Sequence, residues 1–148
     1  MAKVLEKREV AEVFAEYVAE TDYDDIPIET VEITKRSILD TLGVAIAASG
    51  ESSEIQALVE LVKEAGGKEE SAILGFGGRV PAWMAAFANG AMAHALDYDD
   101  VVDELGLHPS ATTVPAALAI AERVGGVGGK ELITAIAVGN DLISRLSR

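Results

Sequence analysis

Residues 81–96 read PAWMAAFANGAMAHAL, and this run decides the fold class. Pro81 opens a helix. Along it Ala85, Ala86, Ala88, Gly90, Ala91 and Ala93 leave little side chain between backbones. Such a helix packs close to its neighbours, deep in a helical bundle. Upstream, SAILGFGGRV (71–80) sets β-branched and aromatic residues around glycines and predicts a short β-hairpin. Before it, Ser52 or Ser53 caps a helix carrying Ile55, Leu58, Val59 and Val62, which ends at Gly66-Gly67. From about Ile28 to Ser49 the pattern is apolar nearly all round, as in a buried central helix, with Pro27 near its start. The first amphipathic helix runs through Val10, Val13, Phe14, Tyr17 and Val18. Downstream come an acidic loop, HPSATT, a helix from about Val114 to Val124, the breaker GGVGG and a last helix from about Lys130 to Arg148. That helix is still periodic where the sequence stops, without a C-cap glycine. The expectation is one mainly all-α domain over 1–148 with one hairpin near 71–80.

Composition excludes several classes of function. The 148 residues, nearly half of them apolar, can bury a core. Twelve Lys and Arg stand against 25 Asp and Glu, a formal charge of −13. That balance opposes nucleic-acid binding and docking on anionic lipid, both of which need basic side chains. No cysteine is present, which closes disulfide, zinc-thiolate and thiol-nucleophile chemistry and is compatible with a cytoplasmic location. The first residues, MAKVLEKREV, are too charged for a secretory signal, and no apolar run is long enough to span a membrane.

Titratable groups concentrate in Asn89–Pro115, NGAMAHALDYDDVVDELGLHPSATTVP. Both histidines of the chain, His94 and His108, lie here with Asp97, Asp99, Asp100, Asp103 and Glu104 between them. Imidazoles move protons near neutral pH, so general acid–base chemistry is the functional reading. His108 sits between Gly106 and Pro109 just before a helix and is the candidate acid/base. Asp97, at the end of the close-packed helix, orients it or moves a proton itself. His94, Asp100, Ser110 and Arg79 are candidate substrate-binding groups, and the amides opening the next helix suit a carboxylate ligand.

Other readings stay open at this stage. His94, Asp97 and His108 form a plausible two-histidine, one-carboxylate metal set, although no spacing is diagnostic. Asp97 and Asp99 begin like a calcium loop, which Val101 and Val102 then break. The segment could equally be a helix end followed by a solvated acidic loop. Gly75–Val80 and Gly125–Glu131 imitate nucleotide-binding loops but fail on spacing, and are better read as turn glycines. A non-catalytic helical module that pairs through exposed apolar faces is the alternative from outside enzymology.

Five segments in register resemble the MmgE/PrpD family: ILDTLGVAIAASG (38–50), SAILGFGGRV (71–80), FANGAMAHALDYDD (87–100), HPSATTVPAALAIAE (108–122) and GGKELITAIAVGND (128–141). The resemblance implies the N-terminal part of a large helical domain, normally joined to a smaller lid domain, in a cofactor-independent and usually dimeric enzyme. It implies a lyase, such as a 2-methylcitrate dehydratase of propionate metabolism, that removes a proton next to a carboxylate of a small polycarboxylate. By motif the family's active-site aspartate falls on Asp97 and its histidine on His108. Val101 stands where a hydroxyl residue is often found, and the loop from Asp97 to His108 is one residue longer than in the decarboxylase pattern. Both departures imply a specificity other than the decarboxylase's. The family's catalytic lysine, a second histidine and the lid would lie beyond Arg148. The isolated chain is therefore expected to be inactive, with cationic groups supplied by a further part, a second copy or a partner subunit.

Overall fold

The computed structural model describes residues 9–148; most of the charged start, read above as unlike a secretory signal, lies outside them. The described residues form α1 (Val10–Glu20), α2 (Ile28–Glu51), α3 (Ser53–Ala65), β1 (Ser71–Ala72), β2 (Arg79–Val80), α4 (Ala82–His94), α5 (Pro109–Val124) and α6 (Gly129–Leu146). The fold is mainly α-helical with one antiparallel hairpin, in the register Ser71↔Val80 and Ala72↔Arg79. Among the described residues no helix is long and apolar enough to cross a membrane.

Helix α4 is the centre, packed against α2, α3, α5 and both strands. Its Ala82, Ala85, Ala88 and Met92 are buried, and they join Ala45, Ala48, Ile55, Val59, Val62, Ile73, Val80 and Ala119 in the core. Small side chains bring the backbones together: a Cβ at Gly90 would lie 3.3 Å from the Ala111 carbonyl oxygen of α5. The few large buried side chains, Met92, Ile73, Val59, Val114 and Ile136, each contribute about 1.5–3 kcal/mol.

The caps follow local chemistry. Ser52 accepts the Ile55 amide at the start of α3 (3.3 Å). Pro81 offers α4 no side-chain cap, and Glu70 supplies one from the hairpin by accepting the Ala82 amide at 3.1 Å. Gly125 ends α5 and Gly128 opens α6, so these glycines punctuate helices. Buried Asn89 holds the hairpin to α4, donating to the Ala72 carbonyl and accepting the Leu74 amide, both at 3.0 Å.

Two expectations need correction. Helix α2 forms, but it is not buried all round: Ile28, Ile33, Leu39 and Ile46 are exposed, Leu39 by 74%. Its inner face instead carries Val31, Thr34, Thr41, Ala45 and Ala48, short side chains that let α4 approach. Helix α5 begins at Pro109, not near Val114, because proline fits the first turn and the loop aspartate Asp100 caps it.

Candidate active site

The acidic loop between α4 and α5 is a constrained turn. α4 ends at His94, and Asp97 takes a left-handed conformation (φ 53°), one that aspartate tolerates better than most residues. Val102 and Leu107 then pair as an isolated antiparallel bridge, with the Val102 amide donating to the Leu107 carbonyl at 2.8 Å. Gly106, at φ 57°, makes that tight return possible. The return brings His108, the residue preceding α5, back beside the end of α4.

Consecutive aspartates in this loop do different work. Asp100 turns to the start of α5: it accepts the Ser110 amide at 3.2 Å and the Ser110 hydroxyl at 2.6 Å. Buried Ser110 in turn accepts from Asn140 Nδ2 of α6 at 3.1 Å, and Thr113 donates to the Asn140 amide oxygen. This chain ties the loop to α5 and α6. The close approach it needs is visible at Gly139, where a Cβ would lie 3.1 Å from Thr113 Cγ2.

Asp99 turns the other way, and its side chain is wholly inaccessible to solvent. His94 Nδ1 lies 3.0 and 3.1 Å from its two oxygens. His108 Nδ1 lies 3.2 Å from Oδ2, within ion-pair distance. It is out of line for a hydrogen bond, so this buried nitrogen has no aligned partner among the described residues. The two rings meet edge to face, with centroids 4.8 Å apart and planes inclined by 63°. A buried carboxylate costs several kcal/mol unless paired, and the imidazoles are the polar groups the structure sets against it.

The rings reach solvent at an open groove of about 460 Å³ lined by Ala86, Phe87, Gly90, Ala91, Ala111 and Thr112 besides the two histidines. Its floor is the α4–α5 contact, where small residues leave room. Among the described residues no lysine or arginine lines it. A larger cavity of about 600 Å³ opens between the α1 end and α6, against Tyr23, Lys130 and Leu142, and neither histidine lines it. The titratable cluster, not cavity size, singles out the candidate site.

Among the candidates from sequence, the structure brings Asp97, His94 and His108 together. Ligand atoms of these three and of Asp99 all lie within 4.8 Å of one another, so they could also hold a divalent transition ion. Asp97 is exposed at the rim. Asp100 and Ser110 bond each other beside the cluster, so their first role is to hold the loop. Arg79 is not brought to the cluster. It donates to the Glu70 carbonyl and lies 3.7 Å from Glu122, near the far end of α5. Glu122 comes 14 residues after His108, which is about 20 Å along a helix. Strand pairing of Arg79 with Ala72 holds it there. Asp99 and Asn140 did not emerge from the sequence as site residues.

The family described as MmgE/PrpD N-terminal domain matches residues 12–148. Cis-aconitate decarboxylase of Mus musculus is 28% identical over 143 residues, covering 94% of this chain and 29% of that protein. Cis-aconitate decarboxylase of Homo sapiens is 29% identical over 144 residues, with 94% and 29% covered. The chain thus spans less than a third of the length of these curated relatives.

Proposed function

The chain belongs to the MmgE/PrpD family, whose N-terminal domain it matches, and from that premise we propose that it forms one wall of a lyase site for a small polycarboxylate. The observation that supports this most is the pair of imidazoles set over one buried carboxylate at the edge of an open groove. An imidazole nitrogen facing the groove removes a proton from the carbon next to a substrate carboxylate. The electron pair of that C–H bond becomes the new C=C bond, and hydroxide leaves with a proton from the conjugate acid. His108 is the acid/base and Asp97 its partner at the rim. His94 adjoins them as a substrate-facing group. A dehydratase of the 2-methylcitrate type uses these steps. The two relatives carry the name of a decarboxylase, and Val101 with the longer loop counts against that same specificity here.

Charge argues that this wall is incomplete alone. A polycarboxylate brings two or three negative charges to a groove that, among the described residues, no lysine or arginine lines, on a chain of net charge −13. Cationic groups come from further polypeptide, a second copy or a partner subunit.

The test is recovery of the chain from its native cells with whatever associates with it. Turnover of 2-methylcitrate, citrate and cis-aconitate is then followed by absorbance of the unsaturated acid and by carbon dioxide release. Water elimination by the recovered assembly, abolished by His108→Ala, is expected, while the 148-residue chain alone is silent. An assembly inactive on all three acids, or one indifferent to His108→Ala, defeats the reading.

A further inference from the structure

We propose that Asp99 is the positioning residue of this site, accepting a hydrogen bond from Nδ1–H of His94 and facing Nδ1 of His108 at ion-pair distance, so that Nε2 of each is left to the groove. The inference rests on the acid–base reading above and deepens it. Three observations carry it. The Asp99 side chain is fully buried while those of His94 and His108 are 54% and 28% exposed, so the carboxylate lies behind the rings as seen from solvent. Both imidazoles approach it through the same atom, Nδ1, at 3.0 and 3.2 Å. Both rings line the groove.

A carboxylate has lone pairs for more than one donor, and an imidazole that donates from Nδ1 keeps its basic lone pair on Nε2. Asp99 therefore selects the tautomer of His94 through a hydrogen bond and that of His108 through the negative charge it sets 3.2 Å from Nδ1. An elimination needs one group to take a proton and one to give it, and each ring keeps a nitrogen for that exchange. Asp100, anchored on Ser110, holds the adjoining backbone and keeps Asp99 turned inward.

The chain contains only two histidines, so their ring nitrogens can be read without ambiguity. The experiment is a long-range ¹H–¹⁵N correlation on the ¹⁵N-labelled full chain at about pH 8.5, some two units above the ordinary imidazole value. Both Nδ1 atoms are expected to give the signal of a protonated nitrogen. In Asp99→Asn at least one ring shifts to the Nε2–H form, since the amide retains a single acceptor oxygen. Asp103→Asn, an exposed carboxylate of the same loop, leaves both rings unchanged. An unprotonated Nδ1 on either ring of the wild-type chain overturns the assignment, as do Asp99→Asn signals identical to wild type. If Asp99→Asn does not fold, as its amide spectrum will show, the wild-type tautomers decide alone. No turnover is involved, so an inactive assembly with both Nδ1 atoms protonated defeats the lyase reading and leaves this one standing.

Discussion

Asp100→Ala tests whether the acidic loop is held where the structure puts it. The substitution removes two hydrogen bonds, from the Ser110 amide at 3.2 Å and from its hydroxyl at 2.6 Å. Loss of a helix cap costs about 1 kcal/mol. Loss of a negative charge beside the first turn costs about 0.3–1 kcal/mol more. Ser110 is fully buried, so its hydroxyl proton, left without an acceptor while the oxygen still accepts from Asn140, adds about 1–3 kcal/mol. The sum is about 2–5 kcal/mol. Asp100 itself is half-buried, and water entering the vacated space brings the expected value to about 2–3 kcal/mol. For a chain of this length that lowers Tm by roughly 4–12 °C. Urea and thermal unfolding followed by circular dichroism measure it.

Two controls separate this from a general charge effect. Asp103→Ala removes the same charge from an exposed position in the loop and should stay within about 0.5 kcal/mol of wild type. Asp100→Ala combined with Ser110→Ala removes the unsatisfied hydroxyl proton together with its partner. The double variant should therefore lose less than the sum of the single losses, with a coupling of about 1 kcal/mol or more. A cost for Asp100→Ala below about 0.5 kcal/mol, or strict additivity in the double variant, would refute the anchoring role.

Other expectations are direct. Hydrogen bonding from the Ala82 amide, then Lys68 and Arg123, holds the Glu70 carboxyl below its ordinary 4.5. Its stabilisation is fully present above that pH and is lost as pH falls through the lower folded value. The stability gap between wild type and Glu70→Gln should therefore close below about pH 4.5 in acid titrations of unfolding. Met92→Ala empties a fully buried position between α4 and its neighbours and should cost about 2–5 kcal/mol by urea denaturation, far more than Leu39→Ala on the exposed face of α2. Elemental analysis of the purified chain is expected to find no stoichiometric zinc, iron or manganese. One equivalent of any of them, lost in the His94→Ala variant, would turn the cluster into a metal centre.

The helices were legible because their signals are local. Alanine and glycine along 81–96 state that backbones meet closely, and the structure sets α4 among α2, α3, α5 and the hairpin. Periodicity told less about which faces would be covered. In α2, Leu39 and Ile46 read as core by type, yet exposure depends on which neighbours exist, and a helical pattern does not name them. Arg79 was misplaced for a related reason: strand register put it at the far end of α5, a distance no spacing of motifs encodes.

The site itself was half legible. Asp97 and His108 stood out through residue type and motif, but Asp99 did not, because its role depends on where a short loop turns. Asp99 and Asp100 are chemically alike and adjacent, yet one is buried against two imidazoles and the other caps a helix. What separates them is the return of the chain at Val102–Leu107, which fixes the direction of each side chain only after the loop has closed. The extra residue between Asp97 and His108, which by motif looked like a mark of specificity, thus also lies in the loop whose closure sets which carboxylate faces the histidines. Removing one residue from 102–107 should disturb the tautomers of both rings more than it disturbs the helices.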